Sequence, residues 1–181
     1  MSRPASLSVP NQQPPSMPDP VIRCAEIDDA SRLVEIYNPY VLETSISFEE
    51  APVSADEMAG RIQKVRQAGL PWLVAEHDGT IVGYAYATRW RERHAYRFTV
   101  ECTVYTAATH QGQGVGRALY GQLLPTLKAA GYHAVVAVIA LPNPASIALH
   151  ERFGMRKVAH FPQVGFKFGQ WHDVGNWQRV F

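Results

Sequence analysis

Apolar residues recur along this chain at two spacings, and each change of spacing marks the end of an element. Residues 21–27 read as a strand. Asp28 or Asp29 then stands where a helix N-cap belongs, ahead of Leu33, Val34, Ile36, Tyr37 and Val41 on one helical face. Ser54 opens a second helix over 55–68, which Gly69 closes. The apolar runs 72–77 and 81–86 are joined by Asp78-Gly79, a pair suited to a type I′ turn, and so predict an antiparallel hairpin.

A long strand over 98–106 leads into Gln111-Gly-Gln-Gly-Val-Gly-Arg117, and a helix over 115–130 follows with Val115, Leu119, Leu123 and Leu127 four residues apart. Pro125 lies inside that helix, where it is expected to kink the helix or end it early. The unbroken apolar run 133–139 reads as a strand covered on both faces. A short helix over 144–153 ends at Gly154, and two more strands joined by a turn complete the chain. The sum is an α/β domain with a mixed, mostly antiparallel central sheet flanked by helices.

Composition narrows the class of protein. At 181 residues, with 46% hydrophobic and 18% charged positions, one globular domain over 21–181 is expected. The first twenty residues, with prolines at 4, 10, 14, 15, 18 and 20, read as a flexible leader. Seventeen basic side chains against sixteen acidic give a net charge of +1 and no electrostatic case for a nucleic-acid partner. Two cysteines are too few for a disulfide framework, the seven histidines show no metal-ligand spacing, and no apolar run is long enough to span a membrane. A cytoplasmic protein without a metal is expected.

Three segments carry the candidate chemistry. The loop 111–117 lies between a strand and a helix N-terminus, where unpaired backbone N–H groups and the helix dipole favour a phosphate. Its spacing is neither a dinucleotide fingerprint, which needs glycine at the place of Arg117, nor a Walker A loop. Glu101, amid apolar neighbours on a strand expected to be central, is either functional or held by an arginine. His150, in Asn143-x-x-Ser146-x-x-Leu149-His150, is either a working group or a satisfied helix histidine.

The Gln-x-x-Gly-x-Gly loop resembles the pyrophosphate loop of the GNAT acyltransferases, which hold acetyl-CoA. The terminal Gly165-Phe-Lys-x-Gly-x-Trp-His-Asp-Val-Gly-x-Trp-Gln178 is similar to the phosphinothricin N-acetyltransferase branch, which includes acetyltransferases of methionine sulfoximine and methionine sulfone. The resemblance covers about 22–181 and implies the GNAT acyl-CoA N-acyltransferase fold, acetyl-CoA as co-substrate and a homodimer. It implies transfer of an acetyl group to the α-amine of a small glutamate-like amino acid, with resistance to such compounds as one role.

Carried onto this sequence, the resemblance makes Glu101 and His150 catalytic, Glu101 as general base. Cofactor contacts fall on Val104, Tyr105 and Thr106, on Gln111, Gly112, Gln113, Gly114, Val115, Gly116 and Arg117, and on Asn143 and Ser146. The amino acid would lie near Phe48, Arg91, Glu92, Arg93, Tyr96, Cys102 and Thr103, with Arg93 favoured over Arg91 as the clamp for an acidic group. His150 could protonate the leaving thiolate or join Glu101 in taking the amine's proton. A peptide N-acetyltransferase and a non-catalytic acyl-CoA sensor remain as alternatives.

Overall fold

The structure, a computed structural model, describes residues 19–181, so most of the Pro-rich leader lies outside the described residues. Seven strands form one sheet in the order β1 (Val21–Cys24), β2 (Trp72–His77), β3 (Thr80–Arg89), β4 (Thr99–Thr106), β5 (Ala134–Ala140), β7 (Gln170–Val180) and β6 (Arg156–Lys167). Every pairing is antiparallel except β4 with β5. The helices are α1 (Ala30–Glu43), α2 (Ala55–Gln67), α3 (Val115–Ala129) and α4 (Pro144–Arg152). This is the mixed, mostly antiparallel sheet flanked by helices that the pattern predicts.

Local chemistry explains most boundaries. Asp78 and Gly79 both take positive φ, 49° and 74°, as a type I′ turn requires, and β2 and β3 pair around them. Ser54 caps α2 by accepting from the Glu57 N–H at 3.1 Å. The first strand is shorter than expected, four residues ending at Cys24. Asp29 accepts from the Glu26 N–H at 2.7 Å and takes both arms of Arg23, which folds 26–29 into a 3-10 turn ahead of α1.

Pro125 does not end α3 early, since the helix runs four residues beyond it to Ala129. Leu119, Leu123, Leu124 and Leu127 are almost wholly buried against the sheet, and their packing outweighs a proline cost of about 3 kcal/mol. A second proline, Pro39, is likewise carried inside α1.

The two faces of β4 carry different helices. Tyr105 packs against Tyr37 and Tyr40 of α1, whereas Cys102 meets Tyr120 of α3 and Val104 approaches Gly116 at the start of α3. Side chains alternate along a strand, so Glu101 and Thr103 share the α1 face with Tyr105. β4 therefore separates two chemical environments.

Candidate active site

The parallel strands β4 and β5 hold together for only three rungs, the last being Glu101 opposite Val136. Beyond it they part and leave an opening in the middle of the sheet. The Ala107 N–H donates to the Val82 carbonyl and the Trp90 N–H to the Thr99 carbonyl, which sets the odd residues of β4 as those bonded to β3. The main chain of Val104 consequently faces the opening, with no strand opposite it. Val138, on the other wall, is 45% exposed for the same reason, so β5 is not covered throughout as its apolar run suggested.

A cleft of about 380 Å³ passes through this opening. Tyr40, Ile46, Thr103 and Tyr105 line it from the α1 face, and Cys102, Val104, Leu149 and His150 from the other. Its far end reaches Thr106 and the glycine loop, where Gln111, Gly112, Gly114, Val115, Gly116 and Arg117 form the wall, and it also touches Asn143 and Ser146. The expected cofactor residues thus gather in one place, Gln113 excepted. Its side chain turns back to donate to the Thr109 carbonyl at 2.9 Å, so it braces the loop and does not line the cleft.

The loop is built for an anion. Gly112 and Gly114 take φ of 74° and 87°, left-handed values that glycine adopts without cost. The first intrahelical bond of α3 is Ala118 N–H to the Gly114 carbonyl at 2.9 Å, which leaves the N–H groups of Val115, Gly116 and Arg117 without helical partners at the cleft wall. Tyr40, which sequence reasoning missed, donates to the Thr106 carbonyl at 2.5 Å and accepts from Gln111 Nε2 at 3.0 Å, tying α1 to the strand end and the loop. Asn143 caps α4 through its Oδ1, which accepts from the Ser146 N–H at 3.1 Å, and so has a folding role as well as a place at the cleft. The cleft therefore fits an elongated pyrophosphate ligand whose reactive end reaches the middle of the sheet.

Glu101 lies at the last rung before the strands part. Burial pushes its carboxyl above the usual glutamate range, and the charge of Arg91 pulls in the opposite direction. Arg91 stacks on Trp90 with its guanidinium 4.2 Å from the ring centroid. Arg91 and Glu92 line a second cavity, of about 920 Å³, together with Tyr86 and Thr88. Those two face Thr103 and Glu101 across the β3–β4 ladder, which puts this cavity on the same side of the sheet as the Glu101 carboxylate. Arg93 and Tyr96 are exposed in the 90–98 segment and line neither cavity, so the arginine brought towards Glu101 is Arg91. Phe48 lies apart from both, its ring against Gly165 of β6 and 6.1 Å from that of His172.

His150 occupies the opposite face. It is 3% exposed, its Nδ1 lies 2.7 Å from the Ser146 carbonyl and its Nε2 lies 2.9 Å from the Tyr120 hydroxyl. A carbonyl only accepts, so Nδ1 carries the proton and Nε2 accepts from Tyr120. Burial lowers the His150 pKa, which reinforces the neutral ring. The Tyr120 oxygen is also 3.3 Å from Cys102 Sγ, a thiol that burial pushes up to about 12. Glu101 and His150 are on opposite sides of β4, a separation that the sequence alone did not give. Tyr120 went unnoticed because it sits in a leucine-rich helix face beside Leu119.

The family model described as "Acetyltransferase (GNAT) family" matches residues 31–155. A phosphinothricin N-acetyltransferase from Streptomyces viridochromogenes is 42% identical over 160 residues, covering 88% of this chain and 87% of the relative. An L-methionine sulfoximine/L-methionine sulfone acetyltransferase from Salmonella typhimurium is 39% identical, covering 84% of this chain and 90% of the relative. A GNAT superfamily phosphinothricin acetyltransferase from Sinorhizobium meliloti, solved in complex with acetyl-CoA, superposes with a TM-score of 0.87 at 37% identity, over 90% of this chain and 89% of that one.

Proposed function

The chain belongs to the GNAT acetyltransferase family and is an acetyl-CoA-dependent N-acetyltransferase, and on that premise we propose that its acceptor is the α-amine of a small glutamate-like amino acid, of the phosphinothricin or methionine sulfoximine kind. The observation that carries this reading is the position of Glu101, half-buried at the rung where the sheet opens, with the Arg91 charge beside it. A buried carboxylate with a raised pKa is a better base, and an arginine nearby suits an acceptor that carries its own acid group.

The acceptor arrives as an ammonium, so Glu101 takes one proton, directly or through water, before the nitrogen attacks the thioester carbonyl. The Val104 N–H, directed into the opening, donates to the oxygen that gains charge as the C–N bond forms. Collapse breaks the C–S bond. Of the two protons that leave the nitrogen overall, one ends on the sulfur and the other in solvent. His150, neutral and on the far face, belongs to the sulfur side, where with Tyr120 it offers a polar setting for the departing thiolate. It does not share the base role with Glu101.

The test is thiol release from acetyl-CoA with phosphinothricin, methionine sulfoximine, methionine sulfone and a mixed peptide panel. Turnover is expected on at least one of the small amino acids. Turnover on peptides alone would move the reading to a peptide N-acetyltransferase, and acetyl-CoA binding without turnover on any amine would favour a sensor.

We also propose a homodimer formed through the β6–β7 hairpin. β6 is an edge strand, and Phe166, Phe168 and Trp171 at the hairpin tip are each more than half exposed. Light scattering should give twice the chain mass for the native protein and the chain mass for Trp171→Asp. A native protein that scatters as a monomer at micromolar concentration sinks this proposal.

A further inference from the structure

The β6–β7 hairpin turns its other side inward, against residues 44–50, the first part of the connection from α1 to α2, and there it presents a buried lysine that the reaction does not use. Lys167 is 2% exposed. Its Nζ donates to the Val41 carbonyl in the last turn of α1 and to the Ser47 carbonyl beyond it, both at 2.6 Å, and the Phe168 ring centroid lies 4.9 Å away. Burial lowers its pKa while the carboxylates of Glu49 and Glu50 raise it. A residue 126 positions away in sequence thus ends α1 and fixes the first part of the following segment.

That segment reaches the cleft. Ile46 lines the cleft on the α1 face, the side of β4 that carries Glu101 and from which the acceptor approaches, and Phe48 rests on Gly165 of the same hairpin, so closely that a Cβ there would overlap the ring. Tyr37 adds a buried bond of 2.7 Å to the Ser47 hydroxyl. Further along, Arg61 and Glu49 form a bidentate pair, but at 33% and 38% exposure it is screened by water and holds the far end of the segment and not Ile46. The two buried, charge-assisted bonds from Lys167 are the stronger restraint.

We propose that Lys167 is a positioning residue for the acceptor site, acting through segment 44–50, which Phe48 anchors on the hairpin, to hold Ile46 at the cleft. This rests on the acetyl-transfer reading above. Lys167→Met keeps the length of the side chain and removes both bonds. Gly165→Ala disturbs the same contact by displacing Phe48 and leaves the ammonium in place, so it serves even where Lys167→Met does not fold.

The first readout needs no acceptor. Amide hydrogen exchange over 44–50 should speed up at least tenfold in each variant, with the glycine loop unchanged. The second is kinetic, and the acceptor KM should rise about tenfold in each while kcat and the acetyl-CoA dissociation constant stay within threefold. Unchanged exchange, or loss of kcat and melting temperature together with KM unmoved, would overturn the proposal. A native protein that acetylates no amine would overturn the assigned reaction, and with it the acceptor role of Lys167, while accelerated exchange would still establish the restraint.

Discussion

Glu101→Gln is expected to slow acetyl transfer by about a thousandfold, in the middle of the range for loss of a general base, and to make the protein more stable at neutral pH. The two effects have one cause. Burial holds the Glu101 carboxyl above the usual glutamate range, so its ionised form is less favourable in the folded chain than in the unfolded one. Well below the unfolded pKa both states carry the proton and the residue contributes nothing. As pH rises past that value the unfolded chain ionises first, and folded stability falls until the folded group has ionised as well. Glutamine carries no such penalty.

The melting temperature of the variant should therefore exceed that of the native protein at pH 7, and the difference should shrink towards pH 4. In the native enzyme the acid limb of kcat/KM should lie above the ordinary carboxylate range, and the variant should lose that limb. Calorimetric titration should find acetyl-CoA affinity within twofold, because Glu101 is not among the residues lining the cleft. A variant that keeps native kcat at saturating acceptor, or that melts lower at pH 7, would show that Glu101 is held for structure.

Much of this arrangement is legible in the sequence because it is local. Asp78-Gly79, the Ser54 cap and the glycine loop each act within a few residues of themselves, and each appears where the pattern puts it. Residues 21–27 misled because Asp29 bonds back to Glu26 and forms a pair with Arg23, and that polar closure competes successfully with strand pairing. Pro125 does not end α3 early, one of the two outcomes expected of it, because propensity does not count the leucines that pack on either side of it. Glu101 and His150 both stand out in the sequence as candidates, yet their separation depends on α3 and α4 covering only one face of β4, which is a tertiary fact. Lys167 passed unnoticed for the same reason, since its partners Val41 and Ser47 come to it from the far end of the chain. Residue type does not choose between Arg91 and Arg93, and it is the folded 90–98 segment that puts Arg91 in the second cavity, where its charge acts on Glu101, and leaves Arg93 out of it.

Gly114→Val is expected to weaken acetyl-CoA binding about thirtyfold or more, with fold stability lowered by about the 1–2 kcal/mol of local backbone strain. Gly114 has φ of 87° and immediately precedes α3, a conformation that costs an L-residue about 1–2 kcal/mol and a β-branched one more. An added Cβ would lie 3.5 Å from Arg117 Nη2, an ordinary contact, so the cost is in the backbone conformation and not in crowding. The chain can accept the strain or relieve it by reshaping the loop, and either course turns the N–H groups of Val115, Gly116 and Arg117 away from a common focus. With about 1.4 kcal/mol per factor of ten, strain and lost anion contacts together reach the stated loss. The core stays as it was, since the glycine loop lies at the surface and the α3 leucines beneath it are untouched. Gln113→Ala is the informative companion, because Gln113 bonds to Thr109 outside the cleft and its loss should cost no more than about threefold, the scale of one exposed hydrogen bond. Calorimetric titration of both variants with acetyl-CoA reads the contrast directly. Equal losses, or none at Gly114, would mean that the pyrophosphate is held somewhere other than the start of α3.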